Sequence, residues 1–113
     1  MTKDYPGSIA NDSDAKAFYG AVVTTVRSKS KINITDSIEN TIADYSRRIT
    51  KAVADNAKRD WKHNEVVHKQ IHRALDDCLF NMFDEISVEI DNSNIEMLDI
   101  IIDEIMKVAV ARY

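Results

Sequence analysis

Glycine and proline are scarce in this chain of 113 residues, which contains two glycines and one proline. A β-sandwich or β-barrel needs many tight turns, and these two residues usually supply them. Their scarcity argues against a turn-rich β fold and favours long helices joined by few connections. We predict one all-α domain, a single bundle of about four helices whose neighbours run antiparallel.

Cysteine is nearly absent, since Cys78 is the only one and no internal disulfide can form. We expect it to be a small core residue, and the chain fits a reducing, cytoplasmic setting. No apolar run approaches the roughly 18 residues of a membrane span, and no signal-like segment opens the sequence. We therefore expect no membrane partner. Residues 1–10 are expected to form a flexible tail, or the edge of a piece cut from a larger protein.

Four stretches carry the spacing of apolar residues, three or four apart, that is typical of amphipathic helices. They cover residues 11–26, 36–58, 64–83 and 94–113, so that the bundle spans 11–113. The last stretch is apolar over a wide arc, which indicates a helix that is central or partly reserved for another protein. The run 86–90 alternates apolar and polar residues without a partner strand, and we expect an extended connector there.

Polar residues that can accept hydrogen bonds from a first helical turn stand before several of these stretches. The predicted caps are Asp12 or Ser13 for the first helix, a capping box of Asp36 with Glu39 for the second, and one of Ser93 with Glu96 for the fourth. Near the third helix stands Trp61, the only tryptophan. We expect its ring to fill a large apolar site and the carboxylate of Asp60 to cap the turn that follows.

Charge is distributed unevenly along the chain, whose formal net charge is −4. Residues 47–73, the basic segment, contain eight Lys or Arg and three acids, whereas residues 74–105, the acidic segment, contain ten acids and no Lys or Arg. One interpretation is solvated helix faces with pairing between the second and third helices. The other is an assembly surface with opposite charges at its two ends. Asp84 and Glu85 favour the second, because a helix C-terminus disfavours anions unless a cation meets them.

The sequence contains no recognisable catalytic constellation. It has no glycine-rich phosphate loop and no nucleophile with an adjacent base. Glu65, His68 and His72 have metal-ligand spacing on the third helix, but the other helices supply no histidine. We interpret these three as a solvated stripe that could make a pH-sensitive contact with a partner, and as weak metal candidates only. We expect no catalytic residue, metal or cofactor in this chain.

Two segments of the chain carry a family pattern. The first, from Asp14 to Val22, is similar to an acidic helix that reads E-x-A-F-Y-D-A-L. The second follows D-W-x-x-x-E-x-V-R and then a long helix. In this order and register, over about residues 12–83, they resemble the C-terminal helical domain of the R subunit of type I restriction enzymes. The matching positions are Phe18, Tyr19, Asp60, Trp61, Glu65, Val67 and Arg73.

The resemblance implies a bacterial assembly domain that holds an ATP-dependent translocase and nuclease onto a methyltransferase core, through the modification subunit. ATP, magnesium and DNA would then belong to the parent endonuclease and not to this chain. Two departures stand out. His68 replaces a usual Arg, and residues 76–81 replace a usual basic run with an acidic one. A contact that the family makes there with DNA or an acidic partner should therefore not be made in the same way.

The sequence thus leads first to a docking domain. The docking candidates are Trp61 if it is exposed, His68 and His72, and the outer edge of the fourth helix, at Ile101 and Val108. The alternatives are a free-standing helical interaction domain, for example a homodimer, and a small nucleic-acid-binding domain that uses the basic segment. The last lacks interleaved aromatic residues, and the acidic segment would repel a phosphate backbone.

Overall fold

Four α-helices make up the protein, whose computed structural model describes residues 7–58 and 60–113. No strand occurs in these two ranges, so the predicted all-α bundle is confirmed. None of the described helices combines the length and apolarity that crossing a membrane requires. The helices are α1 (Ser13–Lys29), α2 (Asp36–Asn56), α3 (Glu65–Glu85) and α4 (Ile95–Arg112), with 3-10 helices at Gly7–Ile9 and Trp61–His63.

The two central helices are α1 and α2, since α1 packs against α4 and α2, and α2 packs to a similar extent against α1 and α3. Adjacent helices run antiparallel. The contact between α3 and α4 is the least extensive of the contacts between adjacent helices, so the bundle has one open seam. The molecule measures 39 × 36 × 20 Å, which makes it about two helices thick.

The core consists of the apolar stripes that the periodicity predicted. Cys78 lies half-buried at its edge, and burial raises the pKa of the Cys78 thiol. A raised pKa keeps the thiol protonated and unreactive, which fits a packing role. The buried side chains include Phe18, Val22 and Val26 of α1; Ile42, Tyr45, Ile49 and Val53 of α2; Ile71, Leu75, Leu79 and Met82 of α3; and Leu98, Ile102, Ile105 and Ala109 of α4.

The start of α1 is capped as predicted, but the start of α2 is not. The Asp12 carboxylate accepts a hydrogen bond from the backbone N–H of Ala15 at 2.9 Å. At α2 the cap is Thr35, whose hydroxyl accepts from the N–H of Ile38 at 3.3 Å. The predicted cap at Asp36 is wrong by one residue, because Thr35 has the extended backbone of an N-cap and Asp36 is already helical.

The predicted capping box of Ser93 with Glu96 is also wrong. The hydroxyl and the backbone N–H of Ser93 both donate to the Asp91 carboxylate. Asn94 occupies the cap position of α4 without a side-chain bond to the first turn. Its amide nitrogen donates instead to the Glu89 carbonyl, at 2.9 Å. These polar side chains shape the connector before α4 and leave the helix start without a side-chain cap.

The corner between α2 and α3 turns at Asp60, whose backbone is left-handed with φ of 62°. Aspartate is one of the few residues that visit this conformation routinely. Its carboxylate makes no capping bond to the Trp61–His63 helix, so the predicted cap at Asp60 is wrong. Asn64 caps α3 instead, with its side-chain oxygen accepting from the N–H groups of Val66 and Val67 at 3.0 and 3.3 Å.

The predicted tail over residues 1–10 extends too far along the chain. Residues 1–6 lie outside the described ranges. Gly7–Ile9 forms a 3-10 helix against α2, and the Ile9 side chain is fully buried in the core. The packed domain therefore begins before residue 11, since this isoleucine is covered by the bundle.

The connector predicted at residues 86–90 forms no strand and packs on the bundle. Ile86, Val88 and Ile90 are half-buried against the core, while Ser87 and Glu89 between them are exposed. Contrary to the prediction, the connector is not extended throughout, because Ile86 and Ser87 form a turn and Ser87 has a left-handed backbone with φ of 62°. The alternation therefore reflects a turn followed by a short segment with one covered side, which needs no partner strand.

The last two residues tie α4 to the start of α1. The guanidinium of Arg112 donates to the Ser13 hydroxyl at 3.0 Å and to Asp14 Oδ1 at 2.8 Å. The Tyr113 hydroxyl donates to Asp14 Oδ2 at 2.9 Å. Burial and the Asp14 carboxylate raise the pKa of Tyr113 to about 12. Asp14 thus joins a charged and a neutral partner through its two oxygens.

The replacement Asn64→Ala should lower the free energy of unfolding by about 0.5–2 kcal/mol, because two N–H groups at the start of α3 lose their acceptor. Asp60→Asn is the matched control. It removes a carboxylate that caps nothing, keeps a side chain that tolerates left-handed backbone, and should change stability by less than about 0.5 kcal/mol. Urea denaturation followed by circular dichroism measures both. A larger loss in Asp60→Asn than in Asn64→Ala would contradict the assigned cap.

Tyr113 should titrate with a midpoint near 12, read as the difference in phenolate absorbance between the wild type and Tyr113→Phe. Asp14→Asn should move this midpoint part of the way to the ordinary value of about 10, because the carboxylate that disfavours the phenolate is gone. Since the folded pKa exceeds the unfolded one, the stabilisation is complete below about pH 10 and is lost as the pH rises toward 12. An unchanged midpoint in Asp14→Asn would refute the pairing.

Candidate docking groove

A groove of about 600 Å³ follows the open seam between α3 and α4, and its surface is mostly apolar. It exists because these two helices contact each other least, so that neither covers the inner edge of the other. We refer to it as the docking groove. Its lining residues are His68 and His72 of α3, and Asp103, Met106, Lys107 and Val110 of α4.

Helical spacing places these side chains along the docking groove. His68 and His72 are four residues apart, as are Met106 and Val110, so each pair lies on one face of its helix. Met106 is half-buried and packs against the core, whereas the Val110 side chain is 42% exposed. Met106 therefore connects the groove to the core, and the partly exposed side chain of Val110 lies at its solvent side.

His68 is held in place on the α3 side of the docking groove. Its Nε2 lies 2.9 Å from the backbone carbonyl oxygen of Lys62. Because a carbonyl oxygen only accepts, Nε2 is the donor in this contact, and Nδ1 makes no hydrogen bond within the described ranges. The centroid of the His68 ring lies 5.3 Å from that of Trp61, with the planes tilted by 36°. These two contacts fix the position of the imidazole.

Charged groups at the rim of the docking groove are mostly paired within their own helices. His72 Nδ1 lies 4.0 Å from Asp76 Oδ2. Lys107 Nζ donates to Glu104 Oε2 at 2.8 Å, and this bond raises the pKa of Lys107. Asp103 forms no ion pair with any residue in the described ranges, although its charge contributes to the raised pKa of Lys107. Its carboxylate is exposed, so a cation on a partner could meet it in addition to Lys107.

The three weak metal candidates are not brought together as a site. His68 and His72 line the docking groove, but Glu65 is exposed in the first turn of α3, and Nε2 of His68 already binds the Lys62 carbonyl. In the part of the chain that the structure describes, no group of three or more His, Cys, Asp or Glu side chains could hold a metal ion. The structure instead places two imidazoles beside an apolar surface.

Trp61 lies in the core and not in the docking groove. Its side chain is 2% exposed, next to the ring of His68. Its indole Nε1 is buried and has no hydrogen-bond partner among residues 7–58 and 60–113. The prediction that Trp61 fills an apolar site is confirmed, whereas its docking role, which required exposure, does not apply.

The two residues of the predicted outer edge of the fourth helix differ in burial. Ile101 is fully buried, whereas Val108 is half-buried and lines a depression beside α1. Sequence analysis missed Met106 and Val110, the apolar residues of α4 that do face the docking groove. Their four-residue spacing was visible in the sequence, but spacing alone does not say which edge of a widely apolar helix its neighbours leave open.

Within the described ranges, no Lys or Arg of the basic segment pairs with an acid of the acidic segment, and the two segments meet at His72 and Asp76 within α3. Arg48 pairs with Asp44 and Lys51 pairs with Asp55, both at 3.2 Å and both within α2. No described ion pair joins α2 to α3, so the interpretation that charges pair between these helices is wrong. Most charges of both segments therefore face solvent, where a partner can reach them.

Glu85 at the end of α3 meets a donor from inside the bundle. The Tyr45 hydroxyl of α2 donates to Glu85 Oε1 at 3.2 Å, and the Arg48 guanidinium lies 4.4 Å from the centroid of the Tyr45 ring. Burial, together with the Glu85 carboxylate, raises the pKa of Tyr45. Glu85 is thus met by a tyrosine hydroxyl and not by the expected cation, which stacks on the tyrosine ring instead, while Asp84 stays exposed with no described ion pair.

The residues that carry the family resemblance divide between the core and the surface. Phe18, Tyr19 and Trp61 are buried, Val67 is half-buried, and Asp60, Glu65 and Arg73 are exposed. Comparison of the chain with models of protein families, with curated proteins and with solved structures gives no match. The resemblance therefore rests on the two sequence segments themselves.

Trp61→Ala should lower the free energy of unfolding by about 3–5 kcal/mol, since it removes a large buried ring and leaves a cavity. His63→Ala is the control on the same 3-10 helix, because His63 is exposed, and it should cost less than about 0.5 kcal/mol. Urea denaturation with circular dichroism detection gives both values. Equal small effects from the two replacements would contradict the assignment of Trp61 to the core.

Proposed function

We propose that the chain is a protein docking domain, and that the docking groove receives an amphipathic helix of a partner protein. The observation that carries this proposal is the open seam of about 600 Å³ between α3 and α4. Three of the four contacts between adjacent helices are extensive, and the fourth, between α3 and α4, is sparse. The apolar surface left open there can be covered by apolar side chains of another protein.

The shape of the docking groove favours a helix as its occupant. Its walls are two antiparallel helices, and an amphipathic helix laid between them presents side chains at positions i, i+3, i+4 and i+7 to such a groove. The lining of α4 runs from Asp103 to Val110, which is about two helical turns or roughly 10 Å. A partner helix would therefore insert two or three apolar side chains against Met106 and Val110.

Polar groups around the docking groove would orient that helix. His68 offers Nδ1 while its Nε2 binds the Lys62 carbonyl. Asp103 offers an exposed carboxylate that forms no ion pair within the described ranges, and Lys107 lies one turn away on the same helix. A partner helix whose apolar stripe is flanked by a cation opposite Asp103 and by a hydrogen-bond donor opposite Nδ1 of His68 would complement both groups, which gives the groove chemical selectivity as well as apolar contact.

The resemblance to type I restriction enzymes supplies a more specific form of the proposal. The partner is then the modification subunit, and the chain holds an ATP-dependent translocase and nuclease onto the methyltransferase core in the cytoplasm. ATP, magnesium and DNA bind the parent enzyme, and the chain contributes attachment alone. The support for this form comes from the segments 14–22 and 49–79.

Val110→Asp should weaken binding to the cognate modification subunit by at least about tenfold, because it places an unpaired charge in an apolar contact. Ile95→Asp is the matched control, since Ile95 is also on α4 and is 38% exposed against 42% for Val110, but it lies outside the docking groove. Isothermal titration calorimetry measures the dissociation constants, with circular dichroism as a check on folding.

Two results would count against the proposal in different ways. Unchanged binding in Val110→Asp would remove the docking groove as the contact surface. Absence of binding between the wild-type chain and the modification subunit would refute the type I form of the proposal.

A further inference from the structure

The outward side of α3 has a regular pattern that the docking groove does not use. Six exposed residues recur at alternating steps of four and three, the spacing of a coiled-coil seam. We refer to them as the α3 face. They are Val66, Gln70, Arg73, Asp77, Phe80 and Asp84.

The α3 face contains two large apolar side chains that the fold leaves uncovered. Val66 is 64% exposed and Phe80 is 44% exposed. Four large hydrophobic residues are exposed in the described ranges, and these are two of them. Solvent-facing apolar side chains at seam positions of one helix indicate a helix that packs against another helix.

Charge on the α3 face changes sign at its middle. Lys69 beside the seam and Arg73 within it lie on the N-terminal half of α3, whereas Asp77 and Asp84 lie on the C-terminal half. None of these four forms an ion pair with a residue in the described ranges. The face is therefore a strip with one basic half and one acidic half, and the charges of both halves are exposed to solvent without an ion-pair partner in the described part of the chain.

The spacing of the α3 face is symmetric about position 75. An antiparallel copy of the same helix then sets Arg73 opposite Asp77 on both sides of a two-fold axis. The same arrangement sets Gln70 opposite Phe80 and Val66 opposite Asp84. A parallel copy would instead oppose like charges at Arg73 and at Asp77. The charges of Arg73 and Asp77 are thus matched in the antiparallel direction only.

We infer that the α3 face binds a second copy of this chain, with the two α3 helices antiparallel about a two-fold axis at position 75. Two Arg73–Asp77 pairs flank the axis, and Phe80 of each copy is covered by the facing helix. Antiparallel packing also sets each helix C-terminus near the N-terminus of the other, which the helix dipoles favour. This inference is independent of the proposed docking function, because it uses the opposite side of α3.

A single pair of helices is a small interface, so the dimer should be weak and should weaken further as salt screens its charges. Sedimentation equilibrium of the full chain between about 1 µM and about 1 mM, at low and high salt, covers the expected range of dissociation constants. The wild-type chain should change from monomer to dimer within this range, with a larger dissociation constant at high salt. A monomer at every concentration would overturn the inference.

Charge exchange tests the register of the dimer. Arg73→Asp and Asp77→Arg should each raise the dissociation constant about tenfold or more, because each replaces two attractive pairs by two repulsive ones. The double variant Arg73→Asp with Asp77→Arg restores both pairs in reversed order, and should return to within about threefold of the wild type. Single variants without effect, or a double variant that stays as weak as the singles, would overturn this arrangement.

Two further variants separate the inference from its alternatives. Lys31→Asp lies in the exposed loop between α1 and α2 and makes the same change in net charge as Arg73→Asp. It should leave the dissociation constant of the dimer unchanged. Val110→Asp alters the docking groove and should also leave the dimer unchanged, so that failure of the docking proposal and failure of the dimer give different results. Loss of the dimer in either control would point to another surface and would overturn the inference.

Discussion

The contact between α1 and α2 is the one on which the rest of the bundle depends, because it joins the packed pair of α1 with α4 to the packed pair of α2 with α3. Phe18, Tyr19 and Val22 are buried on α1, whose apolar residues are shared between α2 and α4. The chain closes on the same helix, because Arg112 and Tyr113 both bind Asp14 at its start. With α1 covered on both sides, α3 and α4 do not need to cover each other, and the seam between them can remain open.

The sparse contact between α3 and α4 explains why the docking groove lies between these two helices. The buried ring of Trp61 and the hydrogen bond from His68 to the Lys62 carbonyl fix the start of α3. The position of the His68 side of the docking groove is therefore set by the core. On α4, Met106 joins the groove to the core, while Val110 is left uncovered. The groove is thus formed by side chains whose positions are set by the core behind them, which is the condition for a selective contact.

The fold was predictable because helical periodicity is a strong signal, and stripes such as Ile42, Ile49 and Val53 are buried as expected. The caps were harder to predict. Thr35 and Asp36 are both good capping residues, and the choice depends on which of them has the extended backbone. The docking groove was only partly predictable. His68 and His72 were singled out, but the exposure of Val110 depends on how closely α3 approaches α4, which no local pattern reports.

The arrangement of contacts also shows which contact the bundle lacks. The helices pack in the order α4, α1, α2 and α3, and these three contacts are about equally extensive, whereas the contact of α3 with α4 is sparse. The fold is therefore a ring of four helices with one incomplete joint, and an occupant that touches both α3 and α4 would close the ring.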